Sequence, residues 1–182
     1  MTVPLARPGT DEYEAYYSTY IDKVPEGDVI DFLTSQITTT LELLASVPPA
    51  LEQHRYAPDK WSVREVVGHV IDAERVFSHR AFSFARADQS PLPGMDQIDY
   101  ASASNADMRP LPELAGELAA VRNSTLSMFR GLPEAAFGRS GVASGYSFSV
   151  RSFVFIIAGH EIHHREGLSA HYLNALHEEP IV

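Results

Sequence analysis

A chain of 182 residues, 45% hydrophobic and 21% charged, is long enough to bury one core unaided and is read as a single domain over residues 1–182. It has no cysteine, which excludes disulfides, thiolate metal sites and a cysteine nucleophile, and which fits a cytoplasmic protein. Its formal net charge of −10, without a Lys/Arg cluster, argues against a nucleic-acid partner, and no apolar run is long enough to cross a membrane.

The first strongly patterned stretch is "YEAYYSTY" at 13–20, read as a short extra helix on the main body or as an arm onto a second subunit. Helical periodicity then runs from Asp28 to Ala45, with Ile30, Leu33, Ile37, Leu41 and Leu44 at three- and four-residue spacing. The prolines of "SVPPA" stop it.

A second helix is predicted over Val63–Ala87. Ser62 and Glu65 form a capping-box pattern at its start, Trp61 precedes them, and Val66, Ala73, Val76, Phe77 and Phe84 make one apolar stripe. Residues 88–110, "DQSPLPGMDQIDYASASNADMRP", are rich in turn formers and read as a long functional connection.

A third helix is predicted over Pro112–Arg130, with Leu114, Leu118, Val121, Leu126 and Phe129 facing inward and Gly131 closing it. Residues 133–148 make another long link, and a fourth helix runs from Val150 to Ala175 behind Ser149 as N-cap. No strand pattern competes with these segments. The fold class expected is all-α, an antiparallel four-helix bundle.

Four of the eight histidines fall within "IIAGHEIHHREGLSAHY", residues 156–172. At ~100° per residue, positions 153, 157, 160, 164, 168, 171 and 175 share one stripe. His160 and His164, at i and i+4, project side by side, the spacing with which helical histidines grip one metal ion. His163 points roughly 100° away from the stripe. Gly167 falls near its centre, where a missing side chain leaves room beside a ligand. His69 lies between Val66 and Ala73 on the stripe of the second helix. Three inward imidazoles would form a metal site with open positions, of the catalytic type. A lone core histidine is ordinarily satisfied by hydrogen bonds, but three such rings would need three separate sets of partners.

Around this site, Asp72 is placed to orient His69, or else is a solvated surface residue. Glu161 points off the stripe as an ion-pair or surface residue. Asp96, the candidate catalytic proton acceptor, and Asp99 could reach the mouth of the site, or serve turn chemistry beside Pro93 and Gly94. Arg80, about three turns beyond His69, could meet an anionic substrate or snorkel at the bundle end. His171 is read as a core or rim residue, and His54, His79 and His177 carry no pattern.

The stretches "YAPDKWSVREVVGHVIDAERVFSHRA" (56–81), "PLPGMDQ" (91–97) and "AGHEIHHREGLSAHYL" (158–173) resemble the DinB-like, damage-inducible protein B family. That resemblance implies a four-helix bundle with a long crossover between helices 2 and 3. It also implies one divalent metal ion, nickel or zinc, on His69, His160 and His164, with a small-molecule substrate. Many members continue His-His-Arg-Gly-Gln, whereas Glu166 stands ahead of Gly167 here, so no role for that glutamine is carried over. Three functions follow: a metal-dependent hydrolase, an S-transferase or isomerase using a low-molecular-weight thiol, and a non-catalytic metal-binding stress protein. A homodimer is a further expectation.

Overall fold

A computed structural model describes residues 4–173. A 3-10 turn, Ala15–Tyr17, leads into the short helix α1 (Ser18–Ile21), and Tyr20 and Ile21 are buried against the chain's own bundle. The tyrosine-rich segment is therefore an extra element of the body. The bundle helices are α2 (Val29–Ala45), α3 (Val63–Ala85), α5 (Leu111–Arg130) and α6 (Val150–Leu168), with α4 (Gln97–Ala103) in the connection after α3. Among the described residues no helix is long and apolar enough to cross a membrane.

The helix starts follow local chemistry. Asp28 caps α2 by accepting from the backbone of Ile30 and Asp31, and Ser62 and Glu65 complete the reciprocal capping box of α3. Ser149 caps α6 through Ser152 N. The third helix begins at Leu111, one residue before the expected Pro112, since Pro110 stands at its cap. The second ends at Ala85, because Ala87 takes a positive φ of 61°. The fourth gives way after Leu168 to a π-turn, Ser169–Leu173. The α-helical expectation is therefore not met over 169–173, and only its last two residues, Asn174 and Ala175, lie outside the described residues.

α2 and α3 each pack on both α5 and α6, closing a four-helix ring. Trp61 ahead of α3 accepts from Tyr172 beyond α6, while Phe84 near the end of α3 meets Phe153 near the start of α6, so these helices run in opposite directions. The ring is not uniformly antiparallel. Leu111 N at the head of α5 donates to Glu52, which also holds Arg64 in the first turn of α3. Those two helices start at the same end.

The all-α expectation needs one correction. Residues 140–149 form a hairpin, β1 (Ser140–Ala143) paired antiparallel with β2 (Tyr146–Ser149). Ser144 and Gly145 turn it with φ of 55° and 84°, the two left-handed positions that match the twist of a two-residue hairpin. Backbone bonds between Leu92 and the Val142–Ser144 stretch tie it to the connection after α3.

The core divides into two apolar clusters, one around Phe77, Phe84, Phe129 and Phe153, the other around Val63, Val67, Leu114 and Leu168. A buried polar layer separates them: Gln36 and Thr40 on α2, Glu74 on α3, Arg122 on α5, and His160 and Glu161 on α6. Every bundle helix contributes to it.

α6 is buried on all sides from Ser152 to Ile162, not along one stripe, because α1 covers its remaining face. Gly159 makes that cover possible. A Cβ there would lie 2.0 Å from the Tyr20 carbonyl oxygen, a backbone atom that cannot swing away. Gly159→Ala should push α1 off the bundle and destabilise the protein by about 1–3 kcal/mol, the usual range for overpacking, read as a lowered urea midpoint. An unchanged midpoint would mean that α1 does not hold this position in solution.

Candidate metal centre

The opposed run of α3 and α6 brings His69, in the second turn of α3, against the middle of α6. His69 Nε2 lies 3.1 Å from His160 Nε2, and His164 Nε2 lies 3.2 Å from the same atom. One ligand-capable nitrogen from each ring falls within 4.8 Å of the others. His69 and His160 are buried and His164 half-buried.

The trio fits a metal ion on its donor chemistry. Three neutral imidazoles have at most one proton per ring, and the central Nε2 can donate to only one neighbour, so convergence without an ion leaves lone pairs opposed. Metal–nitrogen bonds of ~2.0–2.1 Å at tetrahedral or octahedral angles would separate the nitrogens by roughly 2.9–3.4 Å, which brackets both observed distances. His69 Nδ1 has no hydrogen-bond partner, the one such buried side-chain atom among the described residues. Its ring is set by packing instead, with the Trp61 ring 4.8 Å away. On the other side, the Tyr20 ring stands edge-on to His160 at 5.2 Å.

Burial, with His163 close by, pushes His69 down to about 4, and burial with His69 and His163 pushes His164 down to about 3. His160 is held well below the usual imidazole range by burial first, then by its histidine neighbours. All three rings thus stay neutral, the ligating form, well into the acid range. For chelator-treated protein this fixes the sign of a pH effect. A depressed pKa means that the native state binds fewer protons than the unfolded chain, so stability is complete above ~6.5. It is lost as pH falls from there toward about 4 for His69 and about 3 for His164. The His69 share is about 3 kcal/mol. Urea midpoints at pH 7 and pH 4.5 should diverge, and less so in His69→Phe; an equal divergence would locate the effect elsewhere.

Two cavities reach the trio. One, of about 400 Å³, is lined by His69 and His160 together with Tyr17, Phe77, Arg80 and Asp96. The other, of about 720 Å³, reaches His164 and is walled by Tyr56, Trp61, Gly167 and Tyr172. Gln97 and Ile98 at the start of α4 line both.

The remaining expected residues separate clearly. Asp96 Oδ1 caps α4, accepting from Ile98 N at 2.8 Å and Asp99 N at 3.2 Å, while the residue also lines the smaller cavity. Asp99 is exposed in the first turn of α4 and lines neither cavity. Asp72 does not orient His69; it stands 3.9 Å from Arg75 instead. Glu161 is an ion-pair residue, but fully inside. His163 is exposed, with its ring 5.5 Å from Tyr20, and the exposed His171 stacks on Tyr56 at 4.9 Å. His54 and His79 lie outside the trio, and His177 lies outside the described residues.

Sequence reasoning missed the buried cation beneath the site. Arg122, 0% exposed, donates through Nε and Nη2 to both oxygens of Glu74 at 2.9 Å, to Glu161 through Nη2, and to Leu33 O at 3.1 Å. Thr40 donates to the other Glu161 oxygen, and Gln36 Nε2 donates to Ala158 O at 2.8 Å. Burial would lower the Arg122 pKa, but Glu161 and Glu74 outweigh it and hold it above the ordinary value.

The family model of the DinB superfamily matches residues 33–168, which span the bundle and all three histidines. The chain belongs to the DinB superfamily. Solved structures share the fold of this DinB member at low identity. YfiT from Bacillus subtilis, described as a probable metal-dependent hydrolase with an unusual four-helix bundle topology, is 14% identical at a TM-score of 0.64, covering 93% of this chain and 90% of that one. A mycothiol-dependent maleylpyruvate isomerase is 11% identical at a TM-score of 0.67, covering 82% of this chain and 63% of the isomerase. A DinB-like protein, YjoA, also from Bacillus subtilis, is 16% identical at 0.59, covering 86% of this chain and 96% of that one. No curated protein sequence matches significantly.

Proposed function

We propose that this DinB protein binds one divalent metal ion, nickel or zinc, through His69, His160 and His164, and that it hydrolyses a small-molecule substrate there. The observation that carries the reading is the convergence of three Nε2 atoms from two helices where two cavities meet. Bound at that point, a divalent metal would supply Lewis acidity, activating a water or a thiol near neutral pH. The chain supplies the rest. Asp96, whose Oδ2 makes no hydrogen bond among the described residues, takes up a proton at the cavity mouth. Tyr20 and Trp61 hold the rings and keep water from their outer faces. We also read residues 86–110 as the long crossover that returns the chain to the starting end of the bundle, with α4 laid over the site on the way.

A second reading is favoured by the paired cavities. Two separate approaches to one centre suit two small molecules, as in an S-transferase or isomerase using a low-molecular-weight thiol, and the fold is shared with a mycothiol-dependent isomerase. Having no cysteine, the chain would draw that thiol from solution. Cobalt-loaded protein separates the two. Hydrolysis predicts turnover of 4-nitrophenyl acetate without thiol, lost in His69→Ala, and no thiolate charge-transfer band with N-acetylcysteine. A band at micromolar thiol would favour the second reading, and silence in both assays from metal-loaded protein would sink both catalytic readings.

A further inference from the structure

On α3, His69, Ala73, Val76, Phe77 and Arg80 line the floor of the smaller cavity. The eleven-residue step from His69 to Arg80 makes about three turns, with an offset of only about 20°, so the imidazole and the guanidinium stand toward opposite ends of one face. Arg80 is 3% exposed. Its Nη2 donates to Pro93 O at 2.8 Å and to Ser144 Oγ at 3.0 Å, tying the connection after α3 to the hairpin turn. The Tyr17 hydroxyl stands beside the guanidinium and offsets part of the cost of its burial. Beyond Tyr17, the donors on Nε and Nη1 meet no acceptor among the described residues, and none of their carboxylates forms an ion pair with Arg80 within 4.0 Å.

Arg122 shows the contrast, since it meets two carboxylates in the same bundle. A buried cation is costly unless paired, and burial lowers the pKa of Arg80 accordingly. Asp96 lines the same cavity, with Oδ1 in the α4 cap and Oδ2 free, but it forms no ion pair with Arg80 within 4.0 Å. The walls beside Arg80 are aromatic, with Tyr17, Tyr20 and Phe77. Charge, unused donors and apolar walls describe one kind of guest.

We propose that Arg80 is the anion-binding residue of this cavity, and that its ligand is a small carboxylate whose apolar or unsaturated body packs on Tyr17, Tyr20 and Phe77. The proposal rests on the preceding reading only in placing the reacting end of that carboxylate toward the histidine trio; the carboxylate subsite itself belongs to Arg80.

Its test uses the full chain with metal removed by chelator, so that a carboxylate cannot bind an ion instead. Titration calorimetry with 3-phenylpropionate and the uncharged 3-phenylpropionamide should show the acid binding roughly tenfold tighter or better, as expected for a buried charge-assisted bond. Arg80→Gln should abolish the preference. Arg80→Lys, which keeps the charge, should retain part of it, and Ser144→Ala, which loosens only the loop tie, should leave it intact.

Equal or undetectable binding of the acid by the wild-type chain overturns the proposal. So does a preference that survives in Arg80→Gln, or one lost in folded Arg80→Lys. Loss in Ser144→Ala equal to that in Arg80→Gln would make Arg80 a loop clamp only. Metal content is measured separately on untreated protein, so a failed metal site and a failed anion site give different results.

Discussion

His160→Ala and His164→Ala should each reduce bound metal from about one equivalent per chain to background, whereas His163→Ala should retain most of it. The three positions lie within five residues on α6, so composition and general helix damage are nearly matched among them. Geometry separates them. His160 and His164 stand one turn apart with their Nε2 atoms 3.2 Å from each other, and His69 closes the group from α3. His163 is exposed and belongs to no such cluster. A ligand present at a thousand times its dissociation constant stabilises by about 4 kcal/mol, so the two ligand variants should also lose the chelator-sensitive part of the melting temperature. Metal analysis after dialysis reads the first effect and thermal denaturation with and without chelator reads the second. Equal metal loss in all three variants would remove the assignment of ligands by helical phase.

Helical phase and local capping chemistry also set how much of the fold is legible in the sequence. Capping residues and apolar spacing locate the starts of all four bundle helices and the ends of three to within two residues, because those signals are local, whereas the fourth helix stops seven residues short of its expected end. They also bring His69, His160 and His164 to inward positions, since one-helix periodicity decides facing. Periodicity does not report what lies opposite. On α2 the apolar residues Ile37 and Leu41 are only half-buried, while Gln36 and Thr40 are fully inside, since Arg122 and Glu161 across the bundle supply their partners. Arg122 itself reads in the sequence as the polar neighbour of Val121. Its burial depends on three other helices. The hairpin has only a short local signal, Ser144-Gly145 between "SGVA" and "YSFS", a turn dipeptide between two four-residue extended runs. Asp72 makes no bond to His69 for a related reason, because i+3 spacing fixes proximity along the helix but not the direction of the side chain.

Arg122→Met should destabilise the protein by about 3–5 kcal/mol, the range for breaking a buried ion group by removing one partner. Two buried carboxylates, Glu74 at 3% and Glu161 at 2% exposure, would then face each other across the lost guanidinium with no cation between them. Leu33 O and the Gln36 side chain would lose a donor as well. Total stability for such a domain is ~5–15 kcal/mol, so the variant should still fold while its urea midpoint falls sharply. Glu74→Gln should cost clearly less. It keeps the size of the side chain and leaves Arg122 paired one-to-one with Glu161, a neutral pair in place of a net negative triad. The contrast separates charge from packing, because both variants change the same layer. Chemical denaturation with an unchanged slope reads it directly. If Glu74→Gln proved as damaging as Arg122→Met, the layer would depend on the full triad geometry rather than on the presence of its cation. The position of Glu161 adds a second readout. It follows His160 directly on α6, so loosening its hold on Arg122 and Thr40 should let the ring beside it shift, and Arg122→Met should weaken metal retention without altering any of the three imidazoles.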